Sequence, residues 1–251
     1  MPAMIESIVE VSRRAPARNS RPRSNDNDPH TVVLTAIEGT LEPLLARGVR
    51  AVPFTSMTLA EIEPILRVLG IAGPVIIEGG GGIGRRRRRG WMVEPCGISA
   101  DASLDVIREI EDRSGASLLV YSVASECETM RCAAQRRFSE PFVIESGDLE
   151  EIREAASSIG FSVRRGPRFF HLTRRSDEGR AVRRVREDLR CDLTFGVGAT
   201  PLDAEFLTRV EIPVIIPGVA NAPDPELIAE VPGARIGLDD VWPLIVTRAC
   251  S

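Results

Sequence analysis

The chain has 251 residues, of which 43% are hydrophobic and 27% charged, and a formal net charge of −4. That is enough apolar material for one large domain or two modest ones. The acidic balance argues against a nucleic-acid binder working through a global basic field. No apolar run reaches the roughly 18 residues of a membrane span, so none is expected.

Every basic side chain apart from two histidines is Arg, and the chain has no Lys. Lysine Schiff-base and lysine general-base chemistry are therefore excluded, and the cations are permanent. Cys96, Cys127, Cys132, Cys191 and Cys250 are scattered, without a pair at metal-ligand spacing. They read as reduced thiols, and the expected location is cytoplasmic. The start of the chain lacks the apolar core of a signal peptide. With only His30 and His171 present, a histidine-based metal site or triad is not expected.

Residues 1–29 are rich in Arg, Pro, Ser and Asn, and a mobile tail is expected there. Thr31–Thr35 is a β-branched, apolar run that breaks into a loop with Gly39, which reads as a buried strand and turn. A helical segment is expected near Glu42–Arg47, then a strand Arg50–Phe54. Leu59, Ile62, Ile65, Leu66 and Leu69 recur at helical spacing, and Thr58 with Glu61 forms a capping box. Pro74–Glu78 is a third strand. Strands alternating with helices imply a parallel sheet covered by helices.

Glu78–Gly90 is a glycine-rich loop or hairpin ending in five arginines, Arg85–Arg89. These cannot pack on one another, so they lie in solvent or meet an anion. Residues 91–175 then mix helices (Ala102–Asp112, Glu126–Arg136, Leu149–Ile159) with strands (Leu118–Tyr121, Pro141–Glu145, Ser162–Arg165, Arg168–Thr173). The α/β alternation returns with a helix Asp177–Leu189, a strand Asp192–Gly196 and a helical start at Leu202–Leu207. A short strand Val214–Ile216 and helices Glu226–Glu230 and Asp239–Thr247 follow. The expected architecture is a doubly wound, Rossmann-like parallel sheet from 31–90 and 176–251, with an inserted α+β cap at 91–175. Ligands in such folds bind at the carboxyl ends of the strands. Thr35–Thr40, Thr55–Met57 and Gly196–Asp203 fall there.

These loops resemble the signatures of the haloacid dehalogenase (HAD) superfamily of phosphatases. Ala36-Ile37-Glu38-Gly39-Thr40-Leu41 is similar to its first signature, Asp-x-Asp-Gly-Thr-Leu. Phe54-Thr55-Ser56 is similar to the second. Two cap stretches, Arg136-Arg137-Phe138-Ser139-Glu140-Pro141-Phe142 and Arg165-Gly166-Pro167-Arg168-Phe169-Phe170-His171-Leu172, resemble the cap of mannosyl-3-phosphoglycerate phosphatases. The resemblance implies a Mg²⁺-dependent phosphatase with an aspartyl nucleophile, and a cap that contacts the sugar or glycerate.

The departures fall on the chemistry. Ala36 stands at the nucleophile position and Glu38 at the acid/base position. Met57 replaces the Lys of the second signature, and Glu178 the Lys of the third. Ala199 and Leu202 replace an Asp and an Asn of the fourth, and Asp203 remains. Phosphoryl transfer through a carboxylate needs that nucleophile, and Mg²⁺ needs several hard oxygens. Ordinary Mg²⁺-dependent turnover is therefore not expected. No cofactor and no metal is expected, with Asp203 the remaining candidate ligand.

The expected function is binding of a phosphorylated or carboxylated small molecule in the core–cap cleft. The candidate ligand residues are Thr40, Thr55, Ser56, Arg136, Ser139, Glu140, Arg168 and His171. One alternative is a repurposed enzyme using Glu38, Glu178 and Asp203 for acid–base chemistry. Another is a phosphosugar phosphatase that is still active. A third is an interaction scaffold whose Arg85–Arg89 run or N-terminal tail meets a protein partner. No membrane contact is expected, and nucleic acid is the weakest version of the scaffold reading.

Overall fold

In a computed structural model the described residues are 30–36, 45, 50–120, 136–175, 177, 179–218, 221–237 and 243–245. The N-terminal tail and most of the helices expected at Glu42–Arg47, Glu126–Arg136 and Asp239–Thr247 lie outside them.

An eight-stranded sheet forms the core. Its strands are β1 (His30–Ala36), β2 (Arg50–Phe54), β3 (Val75–Ile77), β4 (Gly82–Arg87), β5 (Gly90–Pro95), β10 (Cys191–Gly198), β11 (Ile212–Ile215) and β12 (Arg235–Ile236). The spatial order is β12-β11-β10-β1-β2-β3-β4-β5. Pairing is parallel from β12 through β3, and antiparallel for β3–β4 and β4–β5. The strand order reverses direction on either side of β1, as in doubly wound sheets. The fold is the α/β architecture expected from the alternation of elements. The β4–β5 hairpin carries the sheet to Pro95, so the chain leaves it five residues beyond the sequence boundary at Gly90.

Helix α1 (Leu59–Val68) begins where the capping box places it. The Thr58 Oγ1 accepts from the Glu61 N–H at 3.3 Å, and the Glu61 carboxylate accepts from the Thr58 N–H at 2.7 Å. Its buried Ile62 and Leu66 pack with Ala51, Val75 and Ile77 of the sheet. On another side of the core, Phe54 and Phe206 lie 4.6 Å apart between ring centroids. Around them pack Val182 and Val185 of α4 (Arg180–Leu189) and Leu207 of α5 (Ala204–Leu207).

The α4 helix starts at Arg180, three residues later than its apolar period suggests. Gly179 sits at the N-cap with φ +70, a left-handed conformation that ends the preceding turn. Likewise the expected helical start at Leu202 is a tight 3₁₀ turn, Pro201–Asp203, that feeds α5.

A second, four-stranded antiparallel sheet is ordered β6-β7-β9-β8, from β6 (Ser117–Val120), β7 (Phe142–Ser146), β8 (Phe161–Arg165) and β9 (Phe170–Arg174). Helices α2 (Ala100–Ser114) and α3 (Leu149–Ser158) cover one face of it. Ile107, Ile110, Phe142, Ile152, Ala156 and Val163 form its own hydrophobic core. This sheet is the α+β cap.

Replacing Phe206 by Ala should lower stability by about 3–5 kcal/mol, because a fully buried ring leaves a cavity in the main core. The shift in the denaturant midpoint measures it.

Candidate active site at the core–cap junction

The parallel register brings the carboxyl ends of the core strands level. Ala36 ends β1 opposite Phe54, Phe54 is opposite Ile76, and Val197 is opposite Val214. The residues that follow are Thr55-Ser56, Glu78 and Ala199, so two of the expected strand-end loops, Thr55–Met57 and Gly196–Asp203, start on one edge with Ala36, and Glu78 joins them there. Glu38, Thr40 and Glu178 lie outside the described residues.

Thr55 is buried. Its N–H donates to the Ile76 carbonyl at 2.9 Å, and its Oγ1 accepts from the Met57 N–H at 3.0 Å. The hydroxyl therefore holds its own turn. Asp203 behaves similarly. Its Oδ2 accepts from the N–H groups of Ala199 (2.8 Å) and Thr200 (2.9 Å) and from the Thr200 hydroxyl (3.1 Å). Ser56 contributes through its backbone, since its carbonyl accepts from the Arg136 Nη1 at 3.1 Å.

Arg136 is the bridge between the two sheets. The same Nη1 donates to the Ser139 Oγ at 3.1 Å, and Nη2 lies 3.8 Å from Glu61. The carboxylate that caps α1 thus also faces the cap's cation. The Arg136 side chain is only 5% exposed, and no hydrogen-bond partner of its Nε is found among the described residues. His171 on β9 is buried with Ser139 and Glu140. Its Nδ1 likewise has no partner among the described residues. Burial, and then the charge of Arg136, lower the His171 pKa from 6.5 to about 3, so the imidazole is neutral at pH 7. Arg168, in the turn between β8 and β9, is exposed to solvent.

Two carboxylates at this junction were not singled out by motif reading. Glu78 follows β3 with φ +50, an uncommon conformation for a side-chain-bearing residue, and is 3% exposed. Its carboxylate accepts from three consecutive N–H groups, those of Arg137 (3.0 and 3.2 Å), Phe138 (3.0 Å) and Ser139 (3.2 Å). Burial raises its pKa, and those N–H groups and Arg136 act in the opposite direction. The glycines after it permit the contact. A Cβ on Gly81 would lie 2.4 Å from the Phe138 Cβ. The second carboxylate, Glu205, is buried on α5 and accepts from the Gly179 N–H at 3.2 Å. An acidic residue closing a buried strand before a glycine run was the available signal for Glu78.

A separate set of ion pairs joins the cap to the core. Arg153 of α3 and Arg164 of β8 pair with Glu226 and Glu230 of α6 (Pro225–Glu230), and Arg165 lies 2.7 Å from Asp224.

Two curated proteins are similar over most of the chain. Both are named glucosyl-3-phosphoglycerate/mannosyl-3-phosphoglycerate phosphatase. The one from Persephonella marina is 28% identical over 244 residues, covering 84% of this chain and 91% of the relative. The one from Methanococcoides burtonii is 22% identical, covering 80% and 84%. Among solved structures, a Thermoplasma acidophilum protein matches with a TM-score of 0.62 at 15% identity, covering 87% of this chain and 99% of that one. A HAD subclass IIB sugar phosphatase matches with a TM-score of 0.59 at 13% identity, covering 86% and 99%. No protein-family model matches the chain.

The chain has the HAD-like fold, a doubly wound core sheet with an α+β cap. In this HAD-like chain the strand-end geometry of the superfamily is kept, while Ala36 and Ala199 stand where the resemblance places carboxylates. Arg136, Ser139 and His171 are brought together on the cap side, and the Ser56 carbonyl meets Arg136 from the core. Arg168 is on a turn tip.

Glu78→Ala should free the amides of Arg137, Phe138 and Ser139. Their hydrogen exchange should quicken by about tenfold to a hundredfold, the scale of losing a buried charged acceptor; unchanged exchange would deny Glu78 this role. The His171 shift sets a pH dependence. The unfolded chain binds a proton near pH 6.5, and the folded chain only near pH 3. Stability should therefore fall as the pH drops from about 6.5 towards about 3, by a few kcal/mol in all. Urea titrations across that window should show a flatter profile for His171→Leu.

Proposed function

We propose that this chain binds a phosphorylated or carboxylated small molecule, of the sugar phosphate or phosphoglycerate kind, between core and cap. We further propose that it does not turn that ligand over by the Mg²⁺-dependent route. The observation that carries the binding is the pair of buried nitrogens without partners among the described residues, Arg136 Nε and His171 Nδ1. Buried polar atoms are nearly always hydrogen-bonded, so an orphan pair at a junction of two sheets asks for a ligand or ordered water. A permanent guanidinium N–H suits an anionic oxygen, and a neutral imidazole nitrogen suits a hydroxyl. The relatives named as phosphatases of glucosyl- and mannosyl-3-phosphoglycerate make that ligand class the first to try.

The residues at the strand ends do not fit a Mg²⁺ ion. Ala36 and Ala199 carry no side-chain oxygen, and the Asp203 Oδ2 accepts from the Ala199 and Thr200 N–H groups. A hard cation that takes oxygen ligands in near-octahedral array lacks these donors. Without a carboxylate at position 36 there is also no aspartyl-phosphate to form, which typically costs several powers of ten in rate.

Titration calorimetry with 3-phosphoglycerate and glucosyl-3-phosphoglycerate should detect binding, and Arg136→Met should weaken it at least about tenfold. Phosphate release from the same ligands should not rise on adding Mg²⁺. Absence of heat at millimolar ligand would remove the binding proposal, and robust metal-dependent turnover would remove the claim about catalysis.

A further inference from the structure

The Arg85–Arg89 run is not used by the core–cap site. It builds the end of the β4–β5 hairpin, at the edge of the eight-stranded sheet. The cross-strand register pairs Arg85 with Met92 and Arg87 with Gly90, so these residues share one face, and Arg86 opposite Trp91 lies on the other. The five arginines therefore play different parts.

Arg85 is locked. It lies 3.2 Å from Glu94 and pairs with Asp188 of α4, and its side chain is 17% exposed. Arg184 of α4 reaches the same Glu94 at 2.5 Å. Arg86 lies over the Trp91 ring, 5.7 Å from its centroid, and 3.5 Å from Glu63. Arg87, Arg88 and Arg89 are exposed and have no ion pair among the described residues. Between the hairpin and α4 runs an open groove of about 450 Å³, lined by Pro74, Arg85, Arg87, Met92, Arg184 and Asp188. Met92 is 46% exposed in it.

We infer that this hairpin docks an extended acidic segment of a partner protein, which adds as a strand along β5 and sets its carboxylates on the arginines. Three observations select that partner. First, β5 is the last strand of the sheet among the described residues, so its outer backbone groups lie beside the charges. Second, the cations are spread along a strand and around its tip, a layout that suits a linear polyanion better than one small anion. Third, the exposed Met92 gives the groove an apolar contact between charges, which a peptide side chain meets.

A second copy of this chain does not fit the edge, because the two hairpins would bring arginines against arginines. Nucleic acid is less suited, because the hairpin's one aromatic ring, Trp91, is covered by Arg86 and offers no face for base stacking. Arg85 is already paired with Glu94 and Asp188, and Arg184 with Glu94, so the exposed Arg87, Arg88 and Arg89 are the cations that meet the partner's carboxylates.

The test uses the full chain and a fluorescein-labelled peptide of about ten residues alternating Glu and Thr, followed by fluorescence anisotropy. The peptide should bind at ~50 mM salt and weaken strongly at ~300 mM. The triple variant Arg87→Gln/Arg88→Gln/Arg89→Gln should lose at least about tenfold in affinity while its melting curve stays unchanged, since those side chains are exposed. An N-methylated peptide of the same sequence should bind more weakly, because it cannot pair with β5. No binding at low salt would overturn the inference. So would equal affinity for the triple variant or for the N-methylated peptide, tighter binding of a thymidine oligonucleotide of equal charge, or self-association of the chain that the peptide dissociates.

Discussion

The buried carboxylate of Glu78 is the contact around which the junction of the two sheets is arranged. Glu78 leaves the end of β3 in a left-handed conformation and accepts hydrogen bonds from three successive N–H groups of the cap. Such a contact is shielded from water, so each bond counts for more than one at the surface. The constraint spreads outward. Because residues 137–139 are held there, Arg136 is delivered to the Ser56 carbonyl, and Phe138 is pressed on Gly81. Without a glycine at that point the cap could not approach closely enough for the carboxylate to reach.

The cation next to this contact has several duties. Arg136 answers Glu61, which already caps α1, and so connects the start of a core helix to the cap sheet. It also lowers the pKa of His171 by its charge, on top of burial. An always-charged guanidinium is suited to this place, since a lysine there would be free to lose its proton on burial. The junction is thus a polar network within an apolar surround, and such networks fix geometry where they are satisfied. The ion pairs of Arg153, Arg164 and Arg165 with α6 lie closer to solvent, where pairs contribute less and respond to salt.

The same fold has retained its strand-end geometry while its reactive side chains differ from those the resemblance implies. Thr55 and Asp203 illustrate the distinction. Both occupy positions of the signature loops, and each has a side-chain oxygen that accepts from nearby backbone N–H groups. A side chain that caps its own turn is needed for the loop whether or not any phosphate arrives. That physical need explains how parts of a signature persist around an Ala36.

Much of the architecture was legible from residue order. The β-branched run at Thr31–Thr35, the capping box at Thr58 and Glu61, and the apolar spacing of Leu149–Ile159 each follow from local rules of strand and helix formation, and the corresponding elements are present. The convergence of Thr55, Ser56 and Ala199 was legible through the strand-end rule and the resemblance. Glu78 was not, because its role depends on three amides some sixty residues away. Nor was the division of Arg85–Arg89 into locked, stacked and exposed side chains, which depends on where Glu94, Asp188 and Trp91 fall in space. Residue order alone carries the alternating elements, the absence of lysine chemistry and the missing carboxylates at Ala36 and Ala199. Which charges meet became visible in the folded chain, because pairing across sheets is set by register and close approach and leaves no period in the residue order.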